Sequence, residues 1–268
     1  MGRLMTTAVI IPCRYASTRF AGKPLALFEG RPIIVHVCQR VALAEGVDLV
    51  AVATDDPRIA DAVKSFGGQV VMTPPTCPSG SDRVAEAADI LNLKPHDIVV
   101  NVQGDQPAVA PESIAAVLAP LTADPSVEMT TLAFPIADPA EIFHPKDVKV
   151  VFDRQGDAIY FSRAPIPFAR EGTWRFEARG ADHALHFNGG RAGFTAFKHL
   201  GVYAFRKSFL DVYRRLPPGR LEEVEKLEQL RVLEHGFRIR VVVTDHDSPE
   251  IDCPEDLERL QRHRLKES

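Results

Sequence analysis

Short apolar runs alternate with helix-spaced segments through the first half of the chain. Thr7–Cys13 (TAVIIPC) reads as a buried strand. Pro32–Gly46 has helical spacing, with Ile33, Val37, Val41 and Ala44 on one stripe. Val50–Ala53 reads as a second strand that runs out into Thr54-Asp55-Asp56. Pro57 then stands in the first turn of a helix, with Asp56 as its cap. Val70–Met72 is a third strand, Ser81–Leu91 a helix, and Ile98–Val102 a fourth strand. Strands and helices in this alternation predict an α/β fold with a parallel sheet covered on both faces.

Beyond about residue 125 the rhythm changes. Val127–Phe134, Val148–Phe152, Ala158–Phe161 and Leu200–Phe205 read as strands, with Gly156 in a hairpin turn. This block is either an antiparallel addition or a lobe inserted into the first fold. Glu222–His235 reads as one helix stopped by Gly236. Ile239–Val243 returns to strand, and Pro254–Arg264 forms a last helix capped by Asp252 or Cys253. Ala169–Phe197 has five glycines, two histidines, Trp174 and no periodicity. It reads as a long surface loop or as a lid over a site.

Composition narrows the function classes. The 268 residues, 45% hydrophobic and 25% charged, suit a folded chain with a sizeable core. A net charge of −4 argues against a nucleic-acid binder. No apolar run approaches the length of a membrane span, and the start, MGRLMTTAVIIPCR, does not read as a signal peptide. Cys13, Cys38, Cys77 and Cys253 form no CxxC pair and fit reduced thiols in a cytoplasm.

The chemistry concentrates where predicted strands end. IPCRYASTRFAGKPL follows the first strand and carries Arg14, Arg19 and Lys23 among small residues, a composition able to surround a polyphosphate or simply to form a solvated basic turn. It is neither GxxxxGK[ST] nor GxGxxG, so neither a P-loop nor a dinucleotide site is supported. At the end of the fourth strand, Asn101-Val-Gln-Gly-Asp105 projects a carboxylate suited to Mg²⁺ or to capping a turn. Asp252 precedes the last helix, where it can cap, ligate, or do both. Ser79-Gly80-Ser81-Asp82-Arg83 opens a helix whose free N–H groups suit a phosphate, a base carbonyl or a cap. Glu225 and Gln229 lie four apart on one helix face. Asp245, His246 and Asp247 read as a solvated strand end rather than a metal cluster, and His183 and His186 are weak metal signals.

In order, these motifs resemble the 3-deoxy-manno-octulosonate cytidylyltransferases, or CMP-Kdo synthetases. The resemblance runs through IPCRYASTRFAGKPL, VATDDPRIADAV, FGGQVVMT, SGSDRVAEA, NVQGDQP, VKVVFD, YFSRAPIPF, HLGVYAFR, LEEVEKLEQLRVLEHG and IDCPEDLERL. Departures are Cys13 for the usual alanine, SGSDR for SGTDR, QGDQP for QGDEP, IDCPEDL for VDTPEDL, and a longer 169–197 segment. Several motifs look closer to the branch that handles 8-amino-3,8-dideoxy-manno-octulosonate.

The resemblance implies a glycosyltransferase-A-like mixed sheet with helices on both faces and a smaller sugar-binding and dimerisation lobe. Residues 1–125 would be mainly the nucleotide half and 126–237 mainly the sugar half, with 238–268 returning to the main sheet. It implies CTP and a Kdo-type sugar acid as substrates, Mg²⁺ as cofactor, a homodimer, and CMP-Kdo made in the cytoplasm for lipopolysaccharide. Arg14, Lys23, Asp105 and Asp252 would be catalytic, Asp105 and Asp252 holding Mg²⁺. Pro12, Arg14, Arg19, Lys23, Ser79, Gly80, Arg83 and Gln103 would bind the nucleotide. Arg163, His199, Tyr203, Glu225 and Gln229 would line the sugar site, Arg163 facing its carboxylate. The rival readings are a pyrophosphorylase for UTP or GTP with a sugar phosphate, and a non-catalytic nucleotide sensor.

Overall fold

The computed structural model describes residues 5–16, 20–136, 138–168, 170, 186–187 and 194–267. In chain order the elements are β1 (Thr7–Cys13), a 3₁₀ turn (Lys23–Leu25), β2 (Leu27–Phe28), β3 (Arg31–Pro32), α1 (Ile33–Val41), β4 (Leu49–Thr54), α2 (Pro57–Ser65), β5 (Gln69–Met72), α3 (Gly80–Ile90), β6 (Ile98–Asn101) and α4 (Pro111–Ala123). There follow β7 (Met129–Pro135), α5 (Pro139–Phe143), β8 (Lys149–Phe152), β9 (Ala158–Ser162), β10 (His186–Phe187), β11 (Phe194–Thr195) and β12 (Phe197–Arg206). The chain closes with α6 (Lys207–Tyr213), α7 (Arg220–Glu225), α8 (Leu230–Glu234), β13 (Arg240–Val243) and α9 (Pro254–Glu267). The 169–197 segment proposed as a lid lies largely outside the described residues.

Two compact units divide the chain: 1–118 with 202–214 and 248–268, and 119–201 with 215–247. These bounds differ from the sequence halves in three places. Residues 119–125 belong to the second unit. Residues 202–214 return to the first unit early, and 238–247 stay with the second.

In the first unit β5, β4, β1 and β6 lie side by side and parallel. The last residues of β12 run antiparallel along β6, Tyr203 opposite Asn101. Successive side chains of a strand point to opposite faces, and Ala8, Val9, Ile10 and Ile11 all have no exposed surface. Both faces of β1 are therefore covered, as an unbroken apolar run requires. The helices begin where their caps say. Asp56 accepts from the Arg58 N–H at 2.9 Å to open α2, and Ser79 Oγ accepts from the Asp82 N–H at 3.1 Å to open α3. Strand order reverses at β1, with β4 on one side and β6 on the other. This is the switch point where open α/β sheets bind ligands beyond the strand ends. Phe28, Ile33 and Ile251 form a small core that pins the segment leading into α9 to the start of α1.

In the second unit β7 and β13 are parallel, and β8 pairs antiparallel with β9 and with the start of β12. The β8–β9 hairpin turns through Gly156 at φ +83°, a left-handed value that glycine adopts without a Cβ penalty. Asp153 Oδ1 accepts there from the Gln155 and Asp157 N–H groups, both at 2.9 Å. The buried Lys198 ammonium lies 2.5 Å from Glu141 and 2.9 Å from Asp247; Asp245, His246 and Asp247 are all exposed, as a solvated strand end requires.

The single helix expected over Glu222–His235 is broken. Lys226 takes φ +55°, and α7 ends at Glu225. The carbonyls of Glu225 and Lys226, which a continuing helix would use, accept instead from Arg163 Nε at 2.8 Å and Nη2 at 3.5 Å. Tertiary hydrogen bonding overrides the helix propensity of the sequence here.

Candidate functional site

The loops beyond β1 and β6 and the segment before α9 meet in the first unit. Lys23 is placed by a tight local structure. Gly22 at φ +72° donates its N–H to the Tyr15 carbonyl at 3.1 Å, and a Cβ on it would lie 3.0 Å from the Tyr15 hydroxyl. Lys23 then starts a 3₁₀ turn with Pro24 at its head. Its ammonium donates to Asp105 Oδ2 at 2.6 Å and lies 3.8 Å from Asp252 Oδ1, so two carboxylates far apart in sequence share one cation.

Asp105 is aimed by Gly104. A Cβ at Gly104 would overlap Cys13 Sγ and lie 3.3 Å from the Pro12 carbonyl oxygen, so the loop passes directly against the end of β1. Asp105 Oδ1 is buried and has no hydrogen-bond partner. A buried carboxylate oxygen left unpaired is costly, and a hard cation would satisfy it. Cys13 is buried beside this loop. Desolvation first, then the nearby Cys38 and Asp105, pushes its thiol well above the ordinary range, so it stays neutral and is no nucleophile.

Asp252 or Cys253 was expected to cap α9, and Cys253 stands directly before its first residue. Asp256 reaches back to this helix start, accepting from the Asp252 N–H at 2.9 Å and the Cys253 N–H at 3.2 Å. Asp252 turns its own carboxylate toward Lys23. Two further contacts join the loops of Asp105 and Asp252. The Ile251 N–H donates to the Asp105 carbonyl at 3.0 Å, and Gln106 Nε2 donates to Glu250 Oε1 at 3.4 Å. Asp105, Asp252, the orphaned Oδ1 and the all-oxygen donor set fit Mg²⁺, which takes one or two carboxylates and completes its shell with phosphate and water oxygens. Among the described residues no group of three or more His, Cys, Asp or Glu side chains is placed to hold a metal.

The other nucleotide-side residues fall around the same strand ends. Pro12 lies in β1 and Arg14 stands exposed just past it; Arg19 lies outside the described residues. Ser79 caps α3, and a Cβ on Gly80 would lie 3.6 Å from Pro12 Cγ and 3.9 Å from Gln103 Oε1. Gln103 Nε2 donates to Asn101 Oδ1 at 3.4 Å. Arg83, expected to face the nucleotide, is buried. Its Nη1 donates to Thr73 Oγ1 at 2.6 Å and lies 3.2 Å from Asp55 Oδ1, which ties together the ends of β4 and β5. Asp55 and Thr73 were missed by sequence reading. Asp55 carried the same signal as Asp105, a carboxylate just past a strand. Arg58 was also missed; its guanidinium lies 3.3 Å over the Tyr15 ring while chelated by Asp56.

The second unit gathers Glu225, Ser162 and Arg163. Glu225 accepts from the Ser162 hydroxyl at 2.6 Å and from the Arg163 N–H at 3.0 Å, while Arg163 donates Nη1 to the Pro145 carbonyl at 2.9 Å. His199 Nε2 shares a 2.9 Å hydrogen bond with Thr131 Oγ1 and meets Phe161 edge-on. Desolvation pushes its pKa down to about 3, so the imidazole is neutral at pH 7. Lys149, fully buried, donates to the His144 carbonyl at 3.0 Å, and desolvation lowers its pKa. Gln229 is buried in this unit, whereas Tyr203 belongs to the first, buried opposite Asn101. The expected sugar-site residues are thus distributed over both units.

Comparison with known proteins places the chain in a family. The family profile described as cytidylyltransferase matches residues 8–239. A 3-deoxy-manno-octulosonate cytidylyltransferase of Desulfosudis oleivorans is 54% identical over 257 residues, 96% of either chain. An 8-amino-3,8-dideoxy-manno-octulosonate cytidylyltransferase of Shewanella sediminis is 47% identical, over 97% of this chain and 99% of that one. The structure of a CMP:2-keto-3-deoxy-manno-octonic acid synthetase complexed with CTP superposes with a TM-score of 0.85 at 37% identity, covering 98% of this chain and all of the other.

Proposed function

Since this chain belongs to the cytidylyltransferase family, we propose that it transfers the cytidylyl group of CTP to 3-deoxy-manno-octulosonate, releasing pyrophosphate, for lipopolysaccharide assembly. What carries the reading is the Lys23 ammonium set between Asp105 and Asp252 at the switch point of the first unit, beside the unpaired Asp105 oxygen.

The reaction joins two anions, so its barrier falls through positioning and charge compensation. The anomeric hydroxyl attacks the α-phosphorus in line, and pyrophosphate departs on the opposite side. Arg14 and Lys23 bind the triphosphate and take up the charge that develops on the leaving group, with Arg19 in the same basic loop. The Ser79-Gly80 backbone and Gln103 meet the cytosine, and Arg83 holds the strand ends below them. Asp105 and Asp252 would hold Mg²⁺, which, when bound, would polarise the α-phosphate. For the sugar acid, Arg163, His199, Tyr203, Glu225 and Gln229 remain the proposed contacts, with Arg163 meeting the carboxylate. Free thiols at Cys13, Cys38, Cys77 and Cys253 favour a cytoplasmic location. A homodimer belongs to the same proposal, and gel filtration reads it directly.

The relatives that act on the 8-amino sugar favour a second reading in which only the sugar differs. Pyrophosphate release with CTP, UTP and GTP, each against both octulosonates and a sugar 1-phosphate, tests both. The expected result is turnover with CTP alone and a preference for one sugar acid. Turnover with UTP or GTP and a sugar phosphate, or none with either octulosonate, overturns the proposal. Asp105→Asn and Asp252→Asn should each lower turnover by about 10²–10³-fold at saturating Mg²⁺ with little change in melting temperature. Near-normal release by either variant removes that residue from the metal site.

A further inference from the structure

Gln106 has no exposed surface, and its side chain is spent oddly. Nε2 reaches Glu250 across 3.4 Å, a long bond, while Oε1 is buried without a hydrogen-bond partner. A weak bond bought with an unpaired buried carbonyl adds little to stability. Its consequence is geometric. Gln106 follows Asp105 directly, Glu250 stands two residues before Asp252, and between them the Ile251 N–H donates to the Asp105 carbonyl. The two contacts fasten the loops that carry the acidic pair.

Resting on the metal reading above, we propose that Gln106 is a positioning residue. Its neutral amide clasps Glu250 and so fixes the separation at which Asp105 and Asp252 take one divalent cation. The clasp requires an amide opposite a carboxylate. Two carboxylates at this distance repel and spread the loops, and an apolar side chain leaves Glu250 unclasped.

The test uses the full-length chain and Mn²⁺ as the probe, with free Mn²⁺ read by electron paramagnetic resonance in the presence of CTP and no sugar. Gln106→Glu should weaken Mn²⁺ binding by about ten- to a hundred-fold, the range for groups that orient a metal ligand. Turnover at fixed metal should fall with it, with the KM for CTP nearly unchanged once metal is saturating. The swap Gln106→Glu with Glu250→Gln restores one amide opposite one carboxylate and should recover most of the loss, which a merely structural role would not do. Wild-type Mn²⁺ affinity in Gln106→Glu, or a swap no better than that single variant, overturns the clasp. If Gln106→Glu does not fold, Gln106→Leu keeps the volume and deletes the amide; unchanged Mn²⁺ affinity in that variant overturns the proposal equally. Asp105→Asn separates the two claims. Undiminished Mn²⁺ binding there sinks the metal reading itself, whereas its loss there with full binding in Gln106→Glu sinks only the clasp.

Discussion

Gly104→Ala is the sharpest perturbation available at this site, because one methyl group is set against a single sulfur. The new Cβ would overlap Cys13 Sγ and also approach the Pro12 carbonyl oxygen to 3.3 Å and Ile11 Cγ2 to 3.6 Å. Ordinary carbon contacts need about 3.5–4.0 Å, so the sulfur or the loop must yield by more than about 1 Å. β1 is paired on both sides, to β4 and β6, and gives way less readily than the loop. The loop carries Asp105, and a misplacement of about 1 Å costs on the order of 10²-fold in rate. Overpacking itself costs about 1–3 kcal/mol of stability. Gly104→Ala should therefore lower kcat for pyrophosphate release about a hundredfold while the protein still folds. Cys13→Ala, which removes only the sulfur, should change turnover little. The double variant should regain most of the lost rate, because the clash has lost its larger partner. Steady-state assays and thermal melts on all three variants decide the matter. Full activity in Gly104→Ala, or a double variant as slow as the single one, refutes the close-approach reasoning.

Two further outcomes are expected in the second unit. The folded pKa of His199 is lowered to about 3 from an unfolded value near 6.5, so the folded state binds its proton later. The associated stability is fully present above about pH 6.5 and is lost as pH falls toward 3, by up to about 1.4 kcal/mol per pH unit. Urea unfolding between pH 7 and 5 should show this slope in the wild type and a flatter one in His199→Gln; parallel curves contradict it. Glu225→Ala strips the acceptor from the Ser162 hydroxyl and the Arg163 N–H, and should cost about 2–3 kcal/mol by the same measurement. A loss below about 0.5 kcal/mol, the usual size for an inconsequential surface change, counts against the cluster.

Much of the first unit was readable from the chain alone. The apolar runs of β1, β4 and β6 are too continuous for strands with a wet face, and Asp56 and Ser79 mark helix starts through chemistry local to a few residues. Lys23, Asp105 and Asp252 were legible as residue types at element ends, but their meeting depends on contacts spanning 82 residues in the case of Lys23 and Asp105. What stayed hidden was decided at long range. The partners of Arg83, Thr73 and Asp55, lie on neighbouring strand ends and could not be read from the helix start that carries it. The 222–235 segment has strong helix propensity, but Arg163, about 60 residues earlier, takes the carbonyls needed to continue the turn. Asp256 reaches back from inside α9 to the Asp252 and Cys253 N–H groups, a contact that residue type and periodicity at the helix start do not announce.

Lys23 has a consequence for the resting molecule. Two aspartates gathered in one place would push their loops apart, yet the ammonium lodged between them is tethered to the same fold and cannot diffuse away. The protein brings its own counter-ion, so this corner is held closed without help from the solvent. On the metal reading proposed above, folding is thereby decoupled from divalent supply, and metal scarcity would idle this protein without unravelling it.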